Sequence, residues 1–133
     1  MKTESSRDVP ALNLTARSHP EDVAEVRKRV AEYAGAIGAN RDDVELAVGE
    51  AVGNAVMHAF RGRDDGAILV RAKIDRPDSL VVEIADFGSG ITAHPRSPRT
   101  GLGLPIIGAL ADSVEVQSGE GGTRMVMRFP RAA

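Results

Sequence analysis

Between residues 44 and 60 the apolar side chains Val44, Val48, Val52, Val56 and Phe60 recur at every fourth position, a spacing that commits the segment to one long amphipathic helix. Asn40-x-x-Asp43 reads as its N-terminal cap and Gly62 as its exit. A helix with one apolar face must lay that face on something, and the neighbouring segments are strands. Residues 67–74 and 80–85 are rich in Val and Ile, with Pro77-Asp78 turning between them as a hairpin. Upstream, Leu12 and Leu14 alternate with Asn13 and Thr15 as a first strand. Ser18-His19-Pro20-Glu21 then predicts a helix start, with Ser18 as N-cap, Pro20 in the first turn and Glu21 closing a capping box. Val23, Val26, Val30 and Tyr33 follow at helical spacing, and Gly35 and Gly38 loosen the end. Downstream, glycine and proline make residues 88–103 a loop, 104–111 a short helix, and 114–117 and 125–129 two last strands around Gly119-Glu120-Gly121-Gly122. The order β-α-α-β-β-α-β-β predicts an α/β (α+β) two-layer sandwich, with helices on one face of a largely antiparallel mixed sheet.

The 133 residues suffice for one domain, expected over residues 9–130, with the polar residues 1–8 as a disordered tail. Aromatics make up only 3% and Trp is absent, so the core must be built from Val, Ile, Leu and Ala. A net charge of −2 provides no basic footprint for nucleic acid. With no Cys, disulfides, thiolate metal sites and cysteine nucleophiles are excluded. The chain shows no secretory signal pattern and no apolar stretch long enough to span a bilayer, so a cytoplasmic location without membrane contact is expected.

Four short motifs carry the chemistry: Glu50-x-x-x-Asn54, Asp86-x-Gly88-x-Gly90, Gly101-x-Gly103 and Gly121-Gly122-Thr123. Glu50, Asn54 and His58 share one helical stripe at i, i+4 and i+8 that borders the apolar face. Taken alone, Glu50 fits a solvated polar stripe as well as a general base. Asn54 is a poor helix-interior residue, and its carboxamide oxygen can ligate Mg²⁺. His58 fits either a contact near phosphate or a packed, hydrogen-bonded histidine. Asp86 ends a strand and is followed at once by Phe87-Gly88-Ser89-Gly90-Ile91. An aspartate there can accept a hydrogen bond from the adenine amino group and would oppose the carbonyl of guanine, although a plain turn after a strand fits too. Gly88 and Gly90 allow a turn with positive φ and close backbone approach to a base. Thr100-Gly101-Leu102-Gly103-Leu104 precedes a helix, where backbone amides are placed to bind phosphate.

Other readings fail. No strand precedes the glycines at 101 and 103, which excludes a Rossmann site, and no lysine follows a glycine, which excludes a P-loop. Ser89 lacks the Gly-x-Ser-x-Gly frame of a nucleophile. The three histidines lack zinc-protease spacing, and His19 stands at a helix start with no dimerising hairpin around it.

In order and spacing the four motifs resemble the GHKL (Bergerat-fold) ATP-binding domain. Asn54-Ala55-x-x-His58 and Pro20-Glu21-Asp22-Val23-Ala24-Glu25-Val26-Arg27 are most similar to its anti-sigma factor serine/threonine kinase branch. The likeness runs from about Leu12 to Phe129. It implies ATP and Mg²⁺ as cofactors, Glu50 as general base and Asn54 as metal ligand. It further implies a nucleotide site from Asn54, His58, Asp86, Gly88, Gly90, Ile91, Arg99, Thr100, Gly101, Leu102, Gly103, Leu104 and Thr123, the last supporting adenine and Asp86. The family places its ATP lid between Gly90 and Gly101; here that segment is short and carries Arg96 and Arg99 as candidate γ-phosphate contacts or as solvated loop arginines. The implied partners are a sigma factor, which it would sequester, a STAS-domain antagonist, which it would phosphorylate, and a second copy in a homodimer. The competing readings are a non-catalytic ATP-binding switch module and a related switch kinase that binds no sigma factor.

Overall fold

The computed structural model describes residues 9–17, 19–59, 67–86, 106–119 and 122–132. Its elements run β1 (Leu12–Ala16), α1 (Pro20–Ala36), α2 (Arg41–Ala59), β2 (Ile68–Ile74), β3 (Ser79–Asp86), β4 (Ser113–Gly119) and β5 (Gly122–Pro130), with residues 106–110 also helical. The expected tail at 1–8, Phe60 and the expected exit at Gly62 lie outside the described residues.

The strands form one sheet in the order β1-β2-β3-β5-β4, and every described pairing is antiparallel. The expectation of a largely antiparallel sheet with helices is met, and no parallel pair occurs among the described residues. Alternation decides the faces. Ile68, Val70 and Ala72 of β2, Leu80, Val82 and Ile84 of β3, and Met127 and Phe129 of β5 turn inward and are buried. Arg71, Glu83 and Arg124 lie on the opposite face, where Arg124 Nη2 donates to Glu83 Oε2 at 2.8 Å. Helices α1 and α2 pack on each other and against the inner face, so the core has two layers.

Helix α2 opens as its sequence predicts: the Asp43 amide donates to Asn40 Oδ1 at 2.9 Å, satisfying one of the amides that a helix start leaves unpaired. Its buried face differs from the row of valines. Stepping by four at about 100° per residue overshoots a full turn by roughly 40°, so the valine row spirals away from the sheet. Val44, Val48 and Val52 are fully buried and Val56 only partly, while Ala47, Ala51 and Ala55 fill the rest of the face. Those small side chains let the helix lie close on the strands.

The start of α1 departs from expectation. Its N-cap is His19, with extended backbone and no side-chain cap; Ser18 lies outside the described residues. The carboxylate of Asp22 reaches back instead and accepts the Arg17 amide at 3.0 Å. At the far end of the sheet Arg131 binds three segments together. Its Nε donates to Ile37 O at 2.7 Å, its Nη1 donates to Pro77 O, and its amide donates to Asp78 O at 3.1 Å. Arg128 Nη1 donates to Asp75 Oδ2 beside the same hairpin, and this guanidinium holds the Asp75 carboxyl below its ordinary value. No described helix is long and apolar enough to cross a membrane.

Candidate nucleotide site

Asp86 and Thr123 are direct register partners, the last residue of β3 facing the second residue of β5. Opposed residues of an antiparallel pair point to the same face. Here it is the inner face: Asp86 continues the row Leu80, Val82, Ile84, and Thr123 continues Phe129, Met127, Met125. Both are nonetheless polar, and they are the only buried polar residues described, with 3% and 8% of their surface exposed. A carboxylate in that position loses hydration, so a hydrogen bond to it contributes more than one in water does. The two residues therefore form a polar end to an otherwise apolar row on the helix-facing side of the sheet.

Helix α2 packs against both β2 and β3. The chain leaves it at Ala59 and re-enters the sheet at Ile68, the strand partner of Asp86. Glu50 and Asn54 lie on α2 beside its buried face, both half-buried. The helix thus supplies a carboxylate and a carboxamide at the edge of the layer whose sheet supplies Asp86 and Thr123. His58 follows Asn54 by one turn along the α2 backbone. The predicted contributions of Gly88, Gly90, Ile91, Arg96, Arg99, Thr100, Gly101, Leu102, Gly103 and Leu104 fall outside the described residues. The helical residues 106–110 follow them directly, and Ile107 anchors that turn in the core.

The donor set suits a nucleotide better than a bare metal. No group of three or more His, Cys, Asp or Glu side chains among the described residues is arranged to hold a metal ion. Mg²⁺ commonly takes one or two protein oxygens and completes its octahedron with phosphates and water, so a lone carboxamide such as Asn54 fits that chemistry. A buried acceptor paired across the ladder with a hydroxyl fits an exocyclic amine.

Sequence reasoning missed the surface on the other side of Glu50. A groove of about 470 Å³ is walled by Arg27 of α1 and by Asp42, Glu45, Leu46, Gly49 and Glu50 of α2. Arg27 crosses α2 at Gly49, where an added Cβ would come within 2.9 Å of Arg27 Cδ. Its Nε lies 3.7 Å from Glu45 Oε2, and Arg41 Nη1 approaches Glu45 Oε1 at 3.6 Å. The available signal was the pair Gly49 and Gly53, two glycines one turn apart where helix propensity disfavours them by about 1 kcal/mol each.

Known proteins share this sequence pattern and fold. The family described as "Histidine kinase-like ATPase domain" matches residues 16–129. An anti-sigma F factor of Clostridium beijerinckii is 32% identical over 126 residues, 84% of this chain and 87% of the relative. A serine-protein kinase RsbW of Bacillus pumilus is 32% identical over 140 residues, 91% of this chain and 86% of the relative. Among solved structures, one containing the RsbU and RsbW domains of a Mycobacterium tuberculosis protein superposes with a TM-score of 0.70 at 25% identity. That likeness covers 94% of this chain and 34% of the other.

Proposed function

The chain belongs to the histidine kinase-like ATPase domain family, and from that premise we propose that it is an ATP·Mg²⁺-dependent serine/threonine kinase of the anti-sigma type. The observation that carries the reading is the buried Asp86–Thr123 pair on the sheet, together with Glu50 and Asn54 on the helix packed against it. Asp86 accepts a hydrogen bond from the adenine amino group, Thr123 supports that contact, and Asn54 gives Mg²⁺ its protein oxygen. Glu50 takes the proton from the hydroxyl of an incoming Ser or Thr. The bound nucleotide supplies the γ-phosphoryl group, and the metal neutralises charge on the phosphates during in-line transfer. His58, Arg99 and the backbone from Thr100 to Leu104 serve the phosphate side of the site, with Gly88, Gly90 and Ile91 at the base. The acceptor is a STAS-domain antagonist, and the sequestered partner is a sigma factor. The kinase works as a homodimer in the cytoplasm.

The relatives' names support both halves of this assignment, one by its kinase activity and one by its anti-sigma role. The test is to incubate the protein with γ-labelled ATP and the STAS-domain proteins of its own genome, treat the products with acid, and map the label. Serine and threonine phosphates survive acid and phosphohistidine does not. Acid-stable label on a STAS partner, with sigma factor captured in parallel, is the expected result. Label without sigma capture reduces the assignment to a switch kinase, and ATP binding without label reduces it to a non-catalytic module.

A further inference from the structure

Glu50 belongs to two surfaces at once. Toward Asn54 it borders the nucleotide side of α2; toward Leu46, Gly49 and Gly53, at i−4, i−1 and i+3, it borders the helix face turned away from the sheet. We propose that the groove on this outward face, walled by Arg27, Asp42, Glu45, Leu46, Gly49 and Glu50, receives the segment of the partner protein that carries the phospho-acceptor hydroxyl. The proposal rests on the kinase reading and adds to it where the substrate lies and what it presents.

Several features of the groove fit such an occupant. Its volume of about 470 Å³ falls within the range of small-ligand pockets and holds a short stretch of chain. Leu46, mid-helix, is 52% exposed, the highest value among the large described hydrophobics, and it forms part of a concave wall. Gly49 makes room for the Arg27 stem that crosses it. Gly53 has no described atom within 4 Å of where a Cβ would stand, so no described packing contact requires a glycine there. Its effect is to leave helix backbone bare immediately beside Glu50 and Asn54, as a substrate main chain approaching closely needs.

Charge separates this occupant from the nucleotide. Glu45 is engaged by both Arg27 and Arg41, at 3.7 and 3.6 Å. Asp42, with its side chain 92% exposed, stands at the rim. Three carboxylates, Asp42, Glu45 and Glu50, line the groove with Arg27, and Arg41 beside it approaches Asp42 at 3.9 Å and Glu45 at 3.6 Å, so these five groups together carry a net charge of −1. A polyanion is disfavoured there, and a segment with a cation is favoured. At 1.5 Å rise per residue, Leu46 lies about 6 Å and Asp42 about 12 Å from Glu50 along the helix. The partner therefore carries an aliphatic side chain roughly 6 Å from its acceptor hydroxyl and a Lys or Arg roughly 12 Å from it.

The experiment uses the full chain and the STAS-domain protein of its own genome that it labels. Leu46→Lys, Leu46→Gln and Asp42→Lys are compared with wild type and with Leu69→Lys, a control on the opposite face of the sheet. ADP affinity, partner affinity by calorimetry in the presence of ADP, and KM and kcat for the partner are measured. Leu46→Lys should raise partner Kd and KM at least tenfold and Leu46→Gln severalfold. Asp42→Lys should raise both severalfold, with ADP affinity within twofold throughout and Leu69→Lys unchanged. Wild-type partner Kd and KM in both Leu46 variants overturn the proposal while leaving the kinase reading intact. Loss of sigma capture or of dimerisation with phosphorylation unaffected also overturns it, assigning the groove to those partners. If wild type binds ADP yet labels no STAS protein, the kinase reading itself fails and the docking proposal falls with it.

Discussion

Asp86→Asn is the substitution whose effect the structure defines most closely. The two side chains have nearly the same volume, so the buried end of β3 is not opened, and the cross-strand partner Thr123 remains in place. What changes is polarity: a carboxylate that only accepts becomes an amide that can present a donor to the adenine amino group. A hydrogen bond to a charged group contributes roughly 1.5–3 kcal/mol, and with 3% of Asp86 exposed little water competes for it. At about 1.4 kcal/mol per decade, the substitution should raise the Kd for ATP and ADP between about tenfold and 150-fold. The same amide can donate to the carbonyl of guanine, so the ratio of ATP to GTP affinity should narrow from both sides. Titration calorimetry of wild type and variant with both nucleotides measures this, and circular dichroism confirms that the variant is folded. Equal ATP and GTP affinity in the wild type, or an unchanged ATP Kd in Asp86→Asn, refutes the placement of adenine at Asp86.

Glu50→Gln should leave ADP affinity within about twofold and lower phosphotransfer by roughly 10²–10⁴, the usual scale of general-base catalysis; single-turnover transfer at the wild-type rate excludes Glu50 as base. Asn54→Ala should lose the part of ATP affinity that depends on Mg²⁺, read as convergence of the Kd values with and without the metal. The Asp75 carboxyl is held low by its hydrogen bond from Arg128, so its contribution to stability is present above the unfolded-state value and is lost as pH falls through the lower folded one. Urea unfolding of Asp75→Asn across that acidic range should therefore show a shallower loss than wild type, and parallel curves contradict the pairing. Gly53→Ala should stabilise the fold by up to about 1 kcal/mol, because the gain in helix propensity meets no described neighbour; Gly49→Ala should gain less because the Arg27 stem must move. Chemical denaturation giving the opposite order would count against the crossing of Arg27 over α2.

The two long helices and the paired strands were legible because their signals are local: four-residue spacing, β-branched runs and turn residues between them. Positions within the elements were less so. The valine row of α2 suggested Val56 as core, yet a strict step of four drifts around the helix, and Ala47, Ala51 and Ala55 hold the buried face instead. Alanine carries too little hydrophobic signal to be read as core from sequence. At the start of α1, Ser18 matched a capping box, but the backbone begins its turn at His19 and Asp22 reaches back to Arg17, a contact that depends on the path of the preceding strand. Asp86 stands out in the sequence as a candidate because of the glycines after it, whereas its pairing with Thr123 is a matter of register between distant strands. The groove beside Glu50 was not legible, since it depends on Arg27 of α1 meeting Gly49 of α2.

The alanine face of α2 explains how one helix can present both of the proposed surfaces. A helix that meets the sheet through Val44, Val48 and Val52 interleaved with Ala47, Ala51 and Ala55 sits close to the strands along its length. Close seating fixes the rotation of the helix, because turning it about its axis would drive valines into positions sized for alanine. That rotation sets where the Glu50 stripe emerges. With Ala51 and Ala55 buried at 2% and 7%, Glu50 and Asn54 are left half-buried at the rim, neither sealed in the core nor fully in solvent. In the proposed mechanism the general base needs that intermediate position, since its carboxylate would face a nucleotide held on the sheet side and a hydroxyl arriving from outside. Core packing and the half-buried position of Glu50 are thus set by one choice of small residues, while Gly49 admits the Arg27 stem and Gly53 has no described atom within 4 Å of where a Cβ would stand.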